Sequence, residues 1–508
     1  MKASEDLFEL IQSLSRNEKR YFKRFTALHV RGKKNKYMLL FDAVVRQEKY
    51  DEAQLKRQFC NQAFIRQFTA AKNHLYHRIL SALESYHHSI HSEVKSLLHR
   101  AEILFNKGLY KQSHKAILKA KQLARAYEMH HVMVEIFRHW EMNLAVKNPD
   151  VSWMQNILRE ETEELSLLQS TKDYRSIYYR IVTHHYLYGT TRDKKHFGQF
   201  KKMIHNPLLL DERKAKTFEA KLRFHDARSF YFSIINDKTN QYLSVKNTIA
   251  HFKKHPEKIR QAVSKFIIYL NNVLSSCTLN RKYSEIPIYL KELESLIPLA
   301  KSSDEKTKLF FITATNRLNY YTITGQFSSA VSFLLEINKR LGEYEPSMND
   351  VEKALLFHNI ALSYFGSGDY KNCIHWLNQI RNKISLNIRP DFESSLGLFY
   401  LIVHYESGNA DLLPSLIQSL YRYLKKKEQL HKFETAIIHF LRNELPKTNT
   451  QEEQIHAFQK FKNRIAPLAN DPYEKSPFEF FDYISWLESK IENRPFAEVV
   501  RQKATPVL

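Results

Sequence analysis

The stretch FHNIALSYFGSGDYKNCIHWLNQI, residues 357–380, decides the fold. Before its second glycine, apolar side chains recur three and four positions apart, the spacing of one helix face: Phe357, Ile360, Ala361 and Tyr364. After that glycine a second stripe follows: Tyr370, Cys373, Leu377 and Ile380. Because glycine adopts the left-handed backbone conformation at little cost, Gly368 can end the first helix. The stretch therefore predicts a helical hairpin whose two apolar stripes face each other.

The same arrangement returns elsewhere in the chain. Residues 97–121, 314–337 and 397–420 each place a glycine two positions before an apolar stripe, at Gly108, Gly325 and Gly408. A glycine-free copy occupies residues 268–293 and keeps the stripe that starts at Tyr283. Four of the ten glycines thus share one position in a repeated hairpin. Glycine is otherwise scarce, which favours an all-helical chain, since sheet-rich folds need it for turns and bulges.

The repeated step, Gly-x-[Tyr/Phe]-x-x-[small], resembles the tetratricopeptide repeat (TPR). The best matches are Gly108 with Tyr110, Ser113 and Ala120, and Gly368 with Tyr370 and Cys373. The turn anchors Tyr283, Phe327, Tyr370 and Ala410 lie 44, 43 and 40 residues apart, against about 34 in that family. The hairpins are therefore TPR-like, with longer helices or loops. The whole chain also resembles uncharacterised bacterial TPR-like proteins, a resemblance that implies no function.

Extending this interval of about 43 residues in both directions predicts about nine hairpins, over residues 91–470. Since a single hairpin cannot bury its outer stripe, neighbouring hairpins must stack. The expected fold is an all-α, right-handed α-solenoid with a concave groove. The alternative is a compact, irregular helical domain.

The two ends of the chain depart from this frame. Residues 1–90 predict a basic N-terminal helical domain, whose helix at 15–29 starts with a Ser15/Glu18 capping box. Residues 471–508 predict a capping helix over 476–493, docked on the last hairpin, and a loose tail after Pro495.

Positive charge is concentrated near the N-terminus, in a chain whose net charge is +24. Residues 16–36 hold a candidate patch for an anionic partner: Arg16, Lys19, Arg20, Lys23, Arg24, Arg31, Lys33, Lys34 and Lys36. Such a patch suits nucleic acid or an anionic membrane surface. The alternative is a solvated face on a bundle that caps the solenoid.

No catalytic or cofactor signature accompanies these features. GSGDYK at 366–371 lacks the third glycine and the preceding strand of a dinucleotide-binding loop. His87 and His91 have a metal-compatible spacing, but no HExxH or paired cysteines support a metal site. Three scattered cysteines, with no secretory signal and no long apolar run, favour a cytoplasmic protein. We therefore expect a non-enzymatic protein with no cofactor and no transmembrane segment.

The resemblance places partner contacts on the first helix of each hairpin. Transferring that geometry by offset from the turn nominates a groove: Asn271, Ser275, Thr315, Asn319, Thr322, His358 and Tyr405. Some family members clamp a terminal carboxylate with asparagines and lysines. Asn319 and Asn359 match two asparagine positions, whereas Thr315, Ser395 and Phe399 stand where cations are expected, so the clamp is incomplete.

The sequence thus predicts an interaction scaffold that holds a peptide or helix of a partner protein. The alternative is a nucleic-acid-associated regulator that binds through its N-terminal domain, with the solenoid as a sensor or partner-binding module. The partner's identity and the oligomeric state do not follow from the sequence.

Overall fold

The computed structural model describes residues 5–28, 36–87, 89–147, 150–188, 202–235, 237–384, 390–471, 474 and 476–505. The structure is 84% helical, and its described residues contain no strand. The all-α prediction is confirmed. The chain divides into two compact units, Met1–Gln169 and Ser170–Leu508.

The first unit contains two apolar clusters, one up to Ala82 and one from Val94 to Ile157. Its helices are α1 (Asp6–Ser13), α2 (Arg16–Leu28), α3 (Lys36–Val45), α4 (Glu52–Gln58), α5 (Phe68–Tyr86), α6 (Ile90–Asn106), α7 (Tyr110–Ala126), α8 (His130–Glu135), α9 (Met142–Lys147) and α10 (Val151–Tyr188), which continues into the second unit. The predicted capping box begins α2: Glu18 Oε2 accepts a hydrogen bond from Ser15 N at 2.7 Å, and Ser15 Oγ accepts one from Glu18 N at 3.2 Å.

The second unit is a succession of helical hairpins followed by shorter helices. In order they are α11 (Phe218–Ile234), α12 (Lys238–Lys253), α13 (Pro256–Gln261), α14 (Val263–Leu279), α15 (Ile286–Ser295), α16 (Ser303–Ile323), α17 (Phe327–Tyr344), α18 (Asp350–Gly366), α19 (Tyr370–Lys383), α20 (Pro390–Glu406), α21 (Leu413–Lys426), α22 (Lys432–His439), α23 (Gln451–Ile465), α24 (Ser476–Phe480), α25 (Tyr483–Ile491) and α26 (Phe496–Ala504).

The glycine of each repeated hairpin has the left-handed backbone that the sequence predicts. The φ angles are +75° at Gly108, +68° at Gly325, +81° at Gly368 and +71° at Gly408. After each of these glycines, the amide of the next residue donates a hydrogen bond to the carbonyl five residues earlier. For example, the amide of Asp369 donates to Tyr364 O at 2.9 Å. This is the Schellman ending, which satisfies carbonyls that the helix leaves free.

The glycine-free copy uses the same ending without a glycine. Arg281 stands two residues before Tyr283 and has φ +53°, and the amide of Lys282 donates to Cys277 O at 2.8 Å. The turn geometry is therefore a property of the hairpin, and a non-glycine residue can hold it at a cost in strain of about 1 kcal/mol.

Successive hairpins pack against one another in the second unit. Each of the pairs α11/α12, α14/α15, α16/α17, α18/α19 and α20/α21 packs as a hairpin. In addition α14 packs on α16, and α16 packs on α18, so the first helices of successive hairpins form a common layer. The long helices α16 and α18 start at N-caps, Ser302 and Asn349, each in a capping box with a glutamate three residues later.

Residues 476–505, here called the C-terminal segment, differ from their prediction. The single helix expected over 476–493 is interrupted, because Asp482 caps a second helix by accepting a hydrogen bond from Ser485 N at 2.9 Å. The expected loose tail is instead α26, which packs on α16 and α25. Its backbone approaches the Gly325 turn so closely that a Cβ there would lie 2.6 Å from Arg501 N.

Candidate partner-binding surface

The predicted groove residues lie on the first helices of four successive hairpins. Asn271 and Ser275 belong to α14, three more residues to α16, His358 to α18 and Tyr405 to α20. Since α14, α16 and α18 pack side by side, the fold brings the first six near one another along a layer. Their exposure differs widely, from exposed Ser275 to buried His358.

Polar side chains bridge α14 and α16 along this layer. Lys308 Nζ donates to Ser264 Oγ at 3.0 Å, and Asn316 Nδ2 donates to Asn271 Oδ1 at 2.8 Å. The predicted groove residues Asn271 and Asn319 therefore face the neighbouring helix, Asn319 lying 3.5 Å from the Thr278 hydroxyl. Thr315 lies between these bridges with a buried hydroxyl that has no hydrogen-bond partner among the described residues.

A charged cavity of about 440 Å³ opens beside Ser275. It lies between α11, α12 and α14, and its walls carry hydroxyl and amide groups, including those of Ser229, Ser233, Gln241 and Asn272. Ser275 and Asn272 are exposed at its mouth. Hydroxyls and amides can hydrogen-bond a peptide backbone without regard to its sequence.

Asp226 lies at the wall of this charged cavity within a network of hydrogen bonds. Its Oδ2 accepts bonds from Tyr269 Oη at 2.8 Å and from Arg223 Nη1 at 2.9 Å. Lys265 Nζ and Arg223 also bind Glu219, at 2.8 Å and 2.9 Å. Burial raises the pKa of Asp226 to about 6, despite these donors and cations. A carboxylate with a raised pKa in a cavity is typical of functional sites, although structural networks also produce one.

A second cavity, of about 570 Å³, lies where α16 meets the C-terminal segment; we call it the junction cavity. Asn319 and Thr322 line it from α16, and Arg281 and Tyr283 line it from the glycine-free turn. The opposite wall is largely aromatic and comes from the C-terminal segment: Phe478, Phe480, Phe481 and Phe496. The junction cavity therefore combines two predicted groove residues with residues from the chain's last 33 positions.

Two further groove residues, His358 and Tyr405, contact the C-terminal segment. His358 is buried, with 4% exposure, and its ring lies 6.1 Å from that of Phe480. The Tyr405 ring lies 6.3 Å from Trp486, whose Nε1 donates to Glu406 Oε1 at 2.7 Å. Burial lowers the pKa of His358 to about 4, so the imidazole stays neutral near pH 7. His358 is therefore part of the core, whereas Tyr405 is half-buried and packs against it.

Sequence reasoning missed Asp226, Arg223 and Glu406. Asp226 and Arg223 are three residues apart on a helix, a spacing that places them on one face, and this signal was available. Glu406 hydrogen-bonds Trp486 and forms an ion pair with Lys490, 80 and 84 positions away. No local pattern could indicate those contacts.

The basic patch lies partly within the described residues. Arg16, Arg20, Lys23 and Arg24 are exposed on α2, and Lys19 is half-buried. Lys23 Nζ binds Asp42 at 2.7 Å, whereas the other four have no carboxylate partner in the part of the chain that the structure describes. Arg31, Lys33 and Lys34 lie outside the described residues, and Lys36 begins α3 with its side chain outside them.

The apolar side of α2 is already occupied. Phe22 is 1% exposed and its ring lies 4.7 Å from Phe41, while Tyr21 lies 4.9 Å from Tyr86. A helix that binds a membrane surface needs an apolar face free to insert. The packing therefore favours an anionic partner in solution over a membrane for this patch.

Among the residues that the structure describes, the histidines do not gather into a metal site. The described residues contain no group of three histidines, cysteines or carboxylates that could hold an ion. His87 instead binds Glu18 Oε1 at 2.6 Å. Among the described helices, none is long and apolar enough to span a bilayer.

No protein-family model, no curated protein and no solved structure matches this chain. A functional assignment must therefore come from the residues and their geometry.

Proposed function

We propose that this chain is a non-enzymatic, cytoplasmic interaction protein that holds a peptide or helix of a partner protein. Its hairpins would form a right-handed TPR-like solenoid of about nine units, with the first helices lining a groove. The repeated left-handed turn and the common layer of first helices support this architecture. Two of the three cysteines are buried and all are unpaired, which suits a reducing compartment.

One observation carries the proposal: polar side chains lie along the layer formed by α14 and α16, exposed at Asn272 and Ser275 and half-buried at Asn319 and Thr322, and the layer lies between two cavities. The charged cavity opens at Ser275, and the junction cavity opens at Asn319 and Thr322. A surface with hydrogen-bonding groups between two recesses fits a peptide that is held along its length. Terminal-carboxylate recognition is not part of the proposal, because Asn359 donates to Leu355 O at 2.8 Å and Ser395 is buried.

A matched pair of substitutions tests this function. Ser275→Trp places an indole over the open layer, whereas Ser332→Trp places one on an exposed position of α17 outside it. Both tagged variants and the wild type are crosslinked in native cells, and bound proteins are quantified by mass spectrometry. We expect specific partners to be lost with Ser275→Trp and retained with Ser332→Trp. Equal recovery with both variants would contradict the proposed site.

A second function is favoured by the four unpaired cations of α2. We propose that this patch binds nucleic acid phosphates, in which case affinity should fall steeply with salt. The test compares Arg16→Glu/Arg20→Glu/Arg24→Glu with a control of equal charge change, Lys425→Glu/Lys426→Glu/Lys427→Glu, three exposed residues near the end of α21. Only the α2 variant should lose binding to DNA or RNA and flatten the salt dependence. Equal losses would indicate a non-specific effect of net charge.

A further inference from the structure

The junction cavity is bounded by two different parts of the chain. One wall is the α16 face with Asn319 and Thr322, together with the turn at Arg281 and Tyr283. The other wall is the C-terminal segment, whose rings lie against the hairpins: Phe496 is 5.7 Å from Phe327. The cavity thus lies at the edge of an interface that the molecule already forms with itself.

That interface shows which kind of structure can pack on the layer of first helices. On α18 and α20 the layer is covered by short helices that carry aromatic side chains, and Phe480 lies 5.2 Å from Phe392. Phe481 is 3% exposed, between Phe399 at 4.8 Å and Phe365 at 5.1 Å. The junction cavity continues this surface toward α14 and has aromatic walls of the same kind.

The rim of the junction cavity carries opposite charges. Arg281 and Glu479 are exposed there, and neither forms an ion pair within the described residues. A helix that presents an acidic and a basic residue on either side of an aromatic one would complement this rim. An all-apolar ligand would not use it.

We propose that the junction cavity receives an aromatic side chain from an amphipathic helix of a partner protein. This helix lies along α16 and extends the layer of helices that the C-terminal segment begins. This inference rests on the proposed function and specifies the partner's chemistry. The observations favour a helix over an extended peptide, because the adjoining surface is already covered by helices and rings. A second copy of this chain is the remaining candidate occupant.

Two variants of one residue separate cavity filling from other effects. Thr322 lines the cavity and is half-buried, and its hydroxyl donates to Asn319 O at 2.9 Å. Thr322→Phe fills the cavity, whereas Thr322→Val keeps its shape and removes only the hydroxyl. Ala504→Phe fills the same cavity from α26 and replaces Thr322→Phe if that variant does not fold.

The probe is a random peptide library displayed on phage and selected on the full-length protein. We expect the selected peptides to share an aromatic residue and to bind Thr322→Phe at least tenfold more weakly than wild type. Their affinity for Thr322→Val should stay within twofold. Replacing the peptide's aromatic residue by alanine should weaken binding to the wild type at least tenfold and leave binding to Thr322→Phe unchanged. Bound peptide labelled with ¹³C should show helical chemical shifts.

Each of the other outcomes shows which part of the proposal is wrong. Peptides weakened by Ser275→Trp but not by Thr322→Phe would leave the partner-binding function in place and overturn the aromatic anchor. Bound peptide with extended chemical shifts would overturn the helical partner. Dimerisation in light scattering that Thr322→Phe abolishes would assign the cavity to a second copy and overturn a separate partner. A library that yields no binder, or binders insensitive to both variants, would overturn the function and the anchor together.

Discussion

Two stretches of the same helical layer differ in how far they are exposed to solvent. Along α14 the layer is open at Ser275, Asn272 and Ile268, the last of which is 44% exposed, and along α16 Asn319 and Thr322 are half-buried. Along α18 and α20 it is covered, and His358 is buried. Both stretches are built from hairpins with the same left-handed ending. The difference shows that the unit itself does not decide whether its face can bind a partner.

The covered stretch is closed by a large apolar interface. Phe481, Tyr483, Trp486 and Leu487 of the C-terminal segment are each at most 3% exposed. At about 2 kcal/mol for each fully buried side chain, these four contribute roughly 8 kcal/mol. That is comparable to the whole binding free energy of a micromolar peptide, about 8 kcal/mol. A peptide of ordinary affinity would therefore bind the open stretch before displacing the C-terminal segment.

The largest expected effect is the loss of a ring from the covered stretch. Phe481→Ala removes a side chain packed against four other aromatic rings and should lower the free energy of unfolding by about 4 kcal/mol. Ile268→Ala in the open stretch should cost less than about 1 kcal/mol, since surface substitutions have small effects. Urea denaturation of both variants checks the contrast. Equal costs would mean that the C-terminal segment does not contribute to the core.

A buried group beside the open stretch, Asp226, and one in the covered stretch, His358, should change the stability in opposite directions as the pH rises. The folded pKa of Asp226 is raised to about 6, so its contribution to stability is lost as pH rises from about 4 to above 6. The folded pKa of His358 is lowered to about 4, so its contribution is lost as pH falls from about 6.5 to 4. Each shift corresponds to about 3 kcal/mol.

Single variants isolate these two contributions. Relative to Asp226→Asn, the wild type should lose stability between pH 4 and 7, and relative to His358→Leu it should gain stability over the same range. Urea midpoints measured at half-unit pH intervals give both differences. If the two difference profiles had the same slope, the assignment of opposite pKa shifts would fail.

Glycine turns offer a smaller contrast. Gly325 and Gly368 have similar φ angles, but a Cβ at Gly325 would meet the α26 backbone, whereas a Cβ at Gly368 would meet no atom within 4 Å. Gly368→Ala should cost the strain of a left-handed alanine alone. Gly325→Ala should cost about 2 kcal/mol more, the typical penalty of overpacking. Thermal unfolding of both variants measures this difference, and a cost at Gly325 no larger than at Gly368 would show that α26 can shift away.

The smallest expected effect is a gain. Arg281→Gly relieves the left-handed strain at the open stretch and should raise stability by about 1 kcal/mol. Glu428, which follows α21, has φ +56°, and the amide of the next residue, Gln429, donates the same kind of hydrogen bond to Leu424 O. Glu428→Gly should therefore give a gain of similar size. A gain at only one of the two sites would show that the turns differ in strain.

Much of the local structure follows from short-range patterns. The sequence placed the left-handed glycines correctly, because the apolar stripes on either side leave only one position where the helix can end. It also placed the capping box of α2. It missed the break at Asp482, because the apolar residues of 476–493 continue the helical spacing across it. It missed α26 because a short helix with few large apolar residues is stable only where it packs.

The groove residues divide in the same way. Ser275, Asn319 and Thr322 reach the cavities because their offset from the turn fixes the helix face. Tyr405 has the same offset from its turn as Thr322, and His358 the same as Thr315, but both rings contact aromatic residues about 80 to 120 positions later in the chain. No spacing within one hairpin contains that information.

By itself the sequence determined the all-helical class, the hairpin unit and its turn, since these depend on helix periodicity and on the backbone freedom of glycine within a few residues. Only the tertiary structure decided which part of the layer stays open, because the C-terminal segment packs where it can bury the most apolar surface. The raised pKa of Asp226 has the same origin: desolvation depends on what surrounds a carboxylate in space.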